Sequence, residues 1–225
     1  MAAALLMFVA PAANAQRVNT ASELKKLDKA DATLLDAKKN IKAATWNAHG
    51  KAYTDAYILP TKELVRDIPV QTLQMSVGQP LEVVEGEFAG QPVLIARYEY
   101  VDVYVNQMYF IVGWKQTKEL KENLAETAIE SYKKAYELDN KLAPKIQVNA
   151  MFLANALSQQ GEALNDVGLT KEAAEAFELA FRAQQVVPGT AANAGLIYNA
   201  GVLNTQIAST LGETEEAIAL FSKAQ

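Results

Sequence analysis

Residues 128–135 read AIESYKKA, residues 173–180 read AAEAFELA, and residues 217–224 read AIALFSKA. Each copy contains an alanine, three residues, an aromatic residue, two residues and a second alanine. The copies begin 45 and then 44 residues apart, and a fixed period of this size indicates a repeat array. Steps of four and three residues place the signature on one helix face, where the alanines let a neighbouring helix approach closely. The pattern predicts stacked helix pairs that expose a concave binding surface.

Composition removes several classes of site and partner. The formal net charge of the 225-residue chain is −5, and an acidic chain without a basic face does not fit a nucleic-acid partner. The chain has no Cys, which excludes disulfides, thiolate nucleophiles and metal–sulfur centres. His49 is the single histidine, so a multi-histidine metal site within one chain is excluded too. We expect no cofactor and no bound metal ion.

The start of the chain resembles a secretory signal. Residues 4–10 are an apolar run too short to span a bilayer. Pro11 follows, and then Ala13–Asn14–Ala15 forms a small-x-small cleavage pattern. We therefore expect residues 1–15 to be removed, a mature chain that starts at Gln16 without a transmembrane segment, and a periplasmic or secreted location. The alternative is a buried N-terminal helix, because no Lys or Arg precedes the apolar run.

The middle of the chain changes from helical to β character. In residues 92–105 Val101, Val103 and Val105 alternate with polar or aromatic neighbours, which is typical of a strand with one buried face. We predict a three-stranded antiparallel meander with strands near residues 81–86, 92–105 and 108–115. Helical spacing returns after Thr117 and continues to the chain end.

Trp46, Gly50 and Tyr53, followed much later by the first alanine–aromatic copy, resemble the tetratricopeptide repeat family, and Leu157, Gly161 and Leu164 precede the second copy in the same way. Gly201, Thr205 and Ala208 fit the third copy poorly. The family's unit is about 34 residues long, so longer helices or loops must absorb the longer period here. The arrangement is similar to exported repeat proteins of the Bacteroidetes group of Gram-negative bacteria.

The resemblance implies a mainly α fold. The predicted class is an α-solenoid of antiparallel helix pairs with a small antiparallel β-meander inserted in the first repeat. The predicted parts are a signal peptide at 1–15, a helical lead-in at 16–42, a first unit at 43–57 plus 118–140, the inserted meander at 58–117, a second unit at 144–187 and a third unit at 191–225. Because the chain stops inside a helix, the third unit is interpreted as incomplete.

The resemblance also implies where a partner binds, since the first helices of the family line the concave groove. Carried onto this chain, the groove residues are Asn47, Lys51, Thr54, Asn155, Ser158, Glu162, Asn165, Asn199, Val202, Gln206 and Ser209. This amide-rich set suits hydrogen bonding to an extended peptide. A second surface is predicted at Tyr98, Tyr100 and Tyr104, where exposed rings would contact a partner. The alternative is that this tyrosine face covers the helical stack.

The function expected from these features is an exported scaffold or adaptor that binds a protein or peptide partner, and not an enzyme. The sequence singles out no nucleophile motif, phosphate-binding loop or carboxylate pair, and His49 is expected to pack between helices. Two alternatives stay open. One is a carbohydrate-related accessory protein or enzyme that uses the β insertion, and the other is a structural protein that self-associates through an open C-terminal end.

Overall fold

The computed structural model describes residues 20–88, 90–191, 193–212 and 215–224, with the side chains of residues 217, 220, 221, 223 and 224 left undescribed. Eight α-helices lie in these residues: α1 Thr20–Leu35, α2 Ala43–Ile58, α3 Val70–Val77, α4 Leu124–Leu138, α5 Ala143–Asp166, α6 Thr170–Gln184, α7 Ala194–Leu211 and α8 Glu215–Ala224. Four strands lie between α3 and α4: β1 Glu82–Phe88, β2 Gln91–Arg97, β3 Val101–Val105 and β4 Ile111–Gln116. The predicted signal peptide falls outside the described residues.

The alanine–aromatic signature sets the distance between paired helices. A Cβ atom placed on Gly50 of α2 would lie 2.7 Å from a ring carbon of Tyr132 on α4. A Cβ atom on Gly161 of α5 would lie 3.0 Å from the ring of Phe177 on α6. In both pairs a glycine therefore makes room for the aromatic residue of the partner helix. The corresponding side chains of the third copy, on α8, are not described.

The helices share one large hydrophobic core. Its buried centre comes from α2, α4, α5, α6 and α7, and includes Ile129, Tyr132, Leu153, Leu157 and Phe177. In the first pair His49 contacts Ser131 at the middle of α4, whereas Tyr57, further along α2, feels the charge of Glu126 near the N-terminal end of α4. The two helices therefore run antiparallel, although α3 and the sheet separate them in sequence.

The strands form an antiparallel sheet in the order β1-β2-β3-β4. The aliphatic face of β3 is buried, as its alternation predicts, and it packs with Ile111 and Trp114 of β4 and with Leu73 of α3. Ala163 of α5 belongs to the same cluster. The sheet therefore has a hydrophobic core of its own, and α5 joins that core to the helical one.

The predicted fold class is wrong. The chain is a mixed arrangement of helices and a four-stranded sheet with its own core, rather than an α-solenoid that carries a small three-stranded insertion. The expected long strand at 92–105 is interrupted because Tyr98 and Tyr100 are buried in a tight turn, in which the Tyr98 N–H donates to the Val101 carbonyl at 2.8 Å. Helix α3 was also missed, because its Val70, Leu73 and Val77 give only two turns of helical spacing.

Within the described ranges no helix combines the length and the apolar character that a span across a bilayer needs.

Candidate functional site

Five of the predicted groove residues, four of them polar, lie along one groove between α5 and α7. Glu162 and Asn165 of α5 face Asn199 and Gln206 of α7 across a space of about 410 Å³. The other lining residues are Arg66, Asp166, Phe177, Tyr198, Val202 and Leu203. We call this the α5–α7 groove, and it contains five of the eleven residues that were expected to bind a partner, four of them polar.

Local structure explains why these residues meet. Gly168 adopts a φ of +77°, which ends α5 and lets α6 return against it. Asn193 caps α7 by accepting a hydrogen bond from the Gly195 N–H at 2.9 Å. Steps of three and four residues then keep the polar positions of α5 and α7 on one face. The floor between them is apolar, since Phe177 and Leu203 are buried.

Arg66 closes one end of the groove, and sequence reasoning missed it. It lies in the connection from α2 to α3 and forms an ion pair with Asp166 at the end of α5. Its guanidinium carbon lies 5.9 Å from the centre of the Trp114 ring. Its Nη2 is buried and has no hydrogen-bond partner among the described residues. The groove therefore has a fixed cation at this end, which is paired with Asp166 and whose Nη2 is enclosed by the protein.

Tyr198 is the other residue that the sequence did not single out. Its side chain is 70% exposed at the edge of the groove, next to the exposed Val202. A large exposed ring beside a polar groove is a common anchor in protein interfaces. The helical spacing of 198, 202 and 206 was a usable signal, because Val202 and Gln206 were already placed on the binding face.

The predicted groove residues of α2 do not reach this groove. Asn47 is buried and accepts a hydrogen bond from the Asn149 side-chain amide at 3.1 Å. Thr54 is buried too, and its hydroxyl is hydrogen-bonded to that of Tyr132 at 2.8 Å. Lys51 is exposed but pairs with Asp55 on its own helix at 2.8 Å. Asn47 and Thr54 hold helices together and are inaccessible to a partner, which corrects their predicted placement.

Three other predicted positions lie on the same helices but outside the α5–α7 groove. Asn155 lines a separate, largely apolar depression of about 390 Å³ beside Val148 and Phe152. Ser158 is half-buried on α5, and Ser209 is exposed on α7 and donates to the Gln206 carbonyl. The structure therefore concentrates the groove near the C-terminal end of α5.

The predicted tyrosine surface is not exposed. Tyr98 and Tyr100 are buried, and burial raises the pKa of the Tyr98 hydroxyl to about 12. Tyr104 is half-buried, with its ring centre 6.1 Å from that of Phe88. The expectation of a second contact surface here was wrong, because these rings fill the turn and the sheet rather than face a partner. The alternative, in which this tyrosine face covers the helical stack, is closer to the structure, although Tyr98 covers the hydrophobic core of the sheet instead.

Asp31, His49 and Ser131 are linked by hydrogen bonds in the same order as the catalytic triad of a serine hydrolase. The Nδ1 of His49 lies 2.8 Å from Ser131 Oγ, and its Nε2 lies 2.9 Å from Asp31 Oδ1. A nucleophilic serine must be reached by its substrate, but Ser131 is 2% exposed. Its hydroxyl also donates to the Thr127 carbonyl at 2.7 Å. These hydrogen bonds therefore join α1, α2 and α4 structurally, as expected for a histidine packed between helices.

Asp31 is the electrostatic centre of that contact. Burial alone would raise the pKa of its carboxyl group, but hydrogen bonds from Lys121, His49 and Tyr53 outweigh it and lower that pKa. Tyr53 donates to Asp31 Oδ1 at 2.8 Å, and the Lys121 ammonium pairs with Oδ2. The hydrogen bond to Asp31 in turn raises the pKa of Lys121. Three side chains, two from α2 and one from the loop before α4, thus hold α1 through Asp31.

Comparison with known proteins adds no identity to this geometry. No family model, no curated protein and no solved structure matches the chain. In the described residues, no three or more His, Asp or Glu side chains are grouped so as to hold a metal ion. A functional assignment therefore depends on the groove itself.

Proposed function

We propose that this protein is an adaptor that binds an extended peptide segment of a partner protein in the α5–α7 groove. The observation that carries the proposal is the convergence of the side chains of Asn165, Asn199 and Gln206 on one groove, with the ion pair of Arg66 and Asp166 at its end. Extended peptides present unpaired backbone donors and acceptors, and side-chain amides can satisfy both kinds.

The charges of the groove suggest which peptide it takes. Arg66 and Asp166 offset each other in charge, so that end of the groove favours an uncharged part of the peptide. Glu162 is exposed and without a cationic partner among the described residues, so a basic residue of the peptide would bind beside it. Tyr198 offers an apolar ring to a neighbouring side chain.

The test uses peptides selected on the intact chain from a display library, with binding measured by fluorescence anisotropy. The groove variant replaces Asn165, Asn199 and Gln206 by alanine. The matched control replaces exposed amides on other surfaces, Gln71, Gln107 and Asn140. We expect the groove variant to lose binding of the selected peptides while the control retains it. Equal binding by both variants would exclude the groove as the peptide site.

We further propose that the protein is exported and related to tetratricopeptide repeat proteins. The apolar run and the Ala13–Asn14–Ala15 pattern support export, and N-terminal sequencing of the mature protein would contradict it if residues 4–10 were retained. The glycine-against-ring contact, repeated in α2 with α4 and in α5 with α6, supports the relationship. An aligned set of homologues in which Gly50 and Gly161 vary freely would count against it.

A further inference from the structure

A cleft of about 320 Å³ lies where the helical core meets the end of the sheet. It is enclosed by the C-terminal end of α2, the loop after β4, the start of α4, and the facing sides of α5 and α6. We call this the junction cleft, and its polar lining includes Tyr57, Glu119, Glu126, Gln160, Glu172 and Glu175. It shares no lining residue with the α5–α7 groove, and its volume is within the usual range for small ligands.

Two buried polar side chains of the junction cleft lack partners. Tyr57 is 8% exposed and Gln160 is 7% exposed. Neither side chain makes a hydrogen bond to the described part of the chain. Their polar atoms are also not fully enclosed, because the enclosed side-chain atoms without a partner in that part of the chain are Arg66 Nη2 and Trp114 Nε1. The Tyr57 hydroxyl and the Gln160 amide therefore keep access to solvent, and the cleft is the space they open on. Since no protein group occupies them, both side chains can form hydrogen bonds with a ligand that displaces water from the cleft.

The same cleft carries an excess of negative charge. Four glutamates and one lysine, Lys118, line it. Burial raises the pKa of Glu119, and the neighbouring charges of Glu126 and Glu122 raise it further against the lowering effect of the N–H groups of Asn123 and Leu124. Burial also raises the pKa of Tyr57, with added effects from Glu119 and Glu126. The hydroxyl of Tyr57 therefore lies near these carboxylates.

We propose that the junction cleft binds a primary alkylammonium group carried on an aliphatic chain. An ammonium has three donors and no acceptor, which matches a hydroxyl oxygen, an amide oxygen and carboxylates. Leu157, Leu164 and Leu179 provide an apolar wall for the methylene groups. A metal ion fits less well, because the carboxylates of the described chain do not converge as metal ligands. This site is independent of the adaptor function proposed above.

The experiment is calorimetric titration of the full chain with cadaverine and, separately, with lysine blocked at its α-amine and carboxyl groups. Cadaverine represents a free diamine, and blocked lysine represents a lysine side chain of a partner, so the tighter ligand identifies the source. The neutral diol analogue of cadaverine is the ligand control. We expect saturable binding of at least one amine and none of the diol.

Two variants locate the binding. Tyr57→Phe and Gln160→Leu each remove a polar group that makes no hydrogen bond within the described chain, so we expect both proteins to fold with unchanged circular dichroism. Loss of a hydrogen bond to a charged group should weaken amine binding about tenfold or more. Tyr136→Phe on α4 and Gln159→Leu on α5 are the matched controls and should bind like the parent. Absence of amine binding at millimolar concentration, equal binding of the diol, or parental affinity in both cleft variants would overturn the proposal.

Discussion

At the scale of single residues, Gly50 and Gly161 perform the same task against different neighbours. The ring beside Gly50 belongs to Tyr132, which is fully buried and hydrogen-bonded to Thr54 at 2.8 Å. The carbonyl of Ala128 also lies only 3.1 Å from the Cβ position. The ring beside Gly161 belongs to Phe177, which has no hydroxyl to anchor it and borders the α5–α7 groove. The Tyr132 ring should therefore move away from an added methyl group much less readily than the Phe177 ring.

We accordingly predict that Gly50→Ala lowers the free energy of unfolding by up to about 2 kcal/mol, because overpacking costs about 1–3 kcal/mol and the gain in helix propensity returns only about 1 kcal/mol of it. Gly161→Ala should cost less, since Phe177 can move toward the groove. Urea denaturation of both variants measures the difference. A larger loss for Gly161→Ala would contradict this account of the two contacts.

At the scale of elements, α1 is held by the charged cluster around Asp31. The folded state keeps the pKa of Asp31 below its ordinary value, so the folded state binds that proton less readily than the unfolded chain. The stabilisation is therefore complete above the unfolded pKa of about 3.9 and is lost as pH falls through the folded value. Docking of α1 should weaken in acid through this group.

The prediction from this sign compares the parent with Asp31→Asn. At neutral pH the variant should melt at a lower temperature, and hydrogen exchange in α1 should be faster. The gap in melting temperature should begin to narrow as pH falls below the unfolded pKa of about 3.9 and should close only below the lower folded pKa, where the folded parent has also taken up the proton. Asp28→Asn, an exposed change on the same helix, is the control and should show no such gap. A gap that persists unchanged in acid would exclude Asp31 as the titrating group.

The same elements show what the sequence could predict. The spacing of Ala128, Tyr132 and Ala135 places a real helix contact correctly, because close packing requires small residues at those positions. Asn47 and Thr54 lie on the right helix, but propensity does not reveal that α5 and α4 supply them with internal hydrogen bonds. Arg66 reaches the α5–α7 groove only because the segment 58–117 folds against α5. No local sequence pattern encodes the position of that segment relative to α5.

At the scale of the whole molecule, α5 connects two hydrophobic cores. Leu157 and Leu164 of α5 belong to the helical core, whereas Ala163 is buried in the core of the sheet. The ion pair of Arg66 with Asp166 adds a polar link between the α2–α3 connection and the end of the helix. Because one helix completes both cores, loss of either should expose apolar surface of the other.

The two tryptophans report on this coupling separately. Trp46 packs against the helical core, and its Nε1 donates to the Asn40 carbonyl at 2.6 Å, whereas Trp114 is buried in the core of the sheet. Trp46→Phe and Trp114→Phe therefore each leave one tryptophan whose fluorescence reports on one core. Leu73→Ala should lower the free energy of unfolding by about 2–5 kcal/mol, and it can be added to both variants to weaken the sheet. We predict that both reporters give one common urea midpoint and that Leu73→Ala shifts it equally in both. If only the Trp114 signal moved, the sheet would unfold as a separate unit and α5 would not couple the cores. The shared shift is expected because unfolding of the sheet would expose the buried Ala163 face of α5, and the helical core requires α5 to be folded.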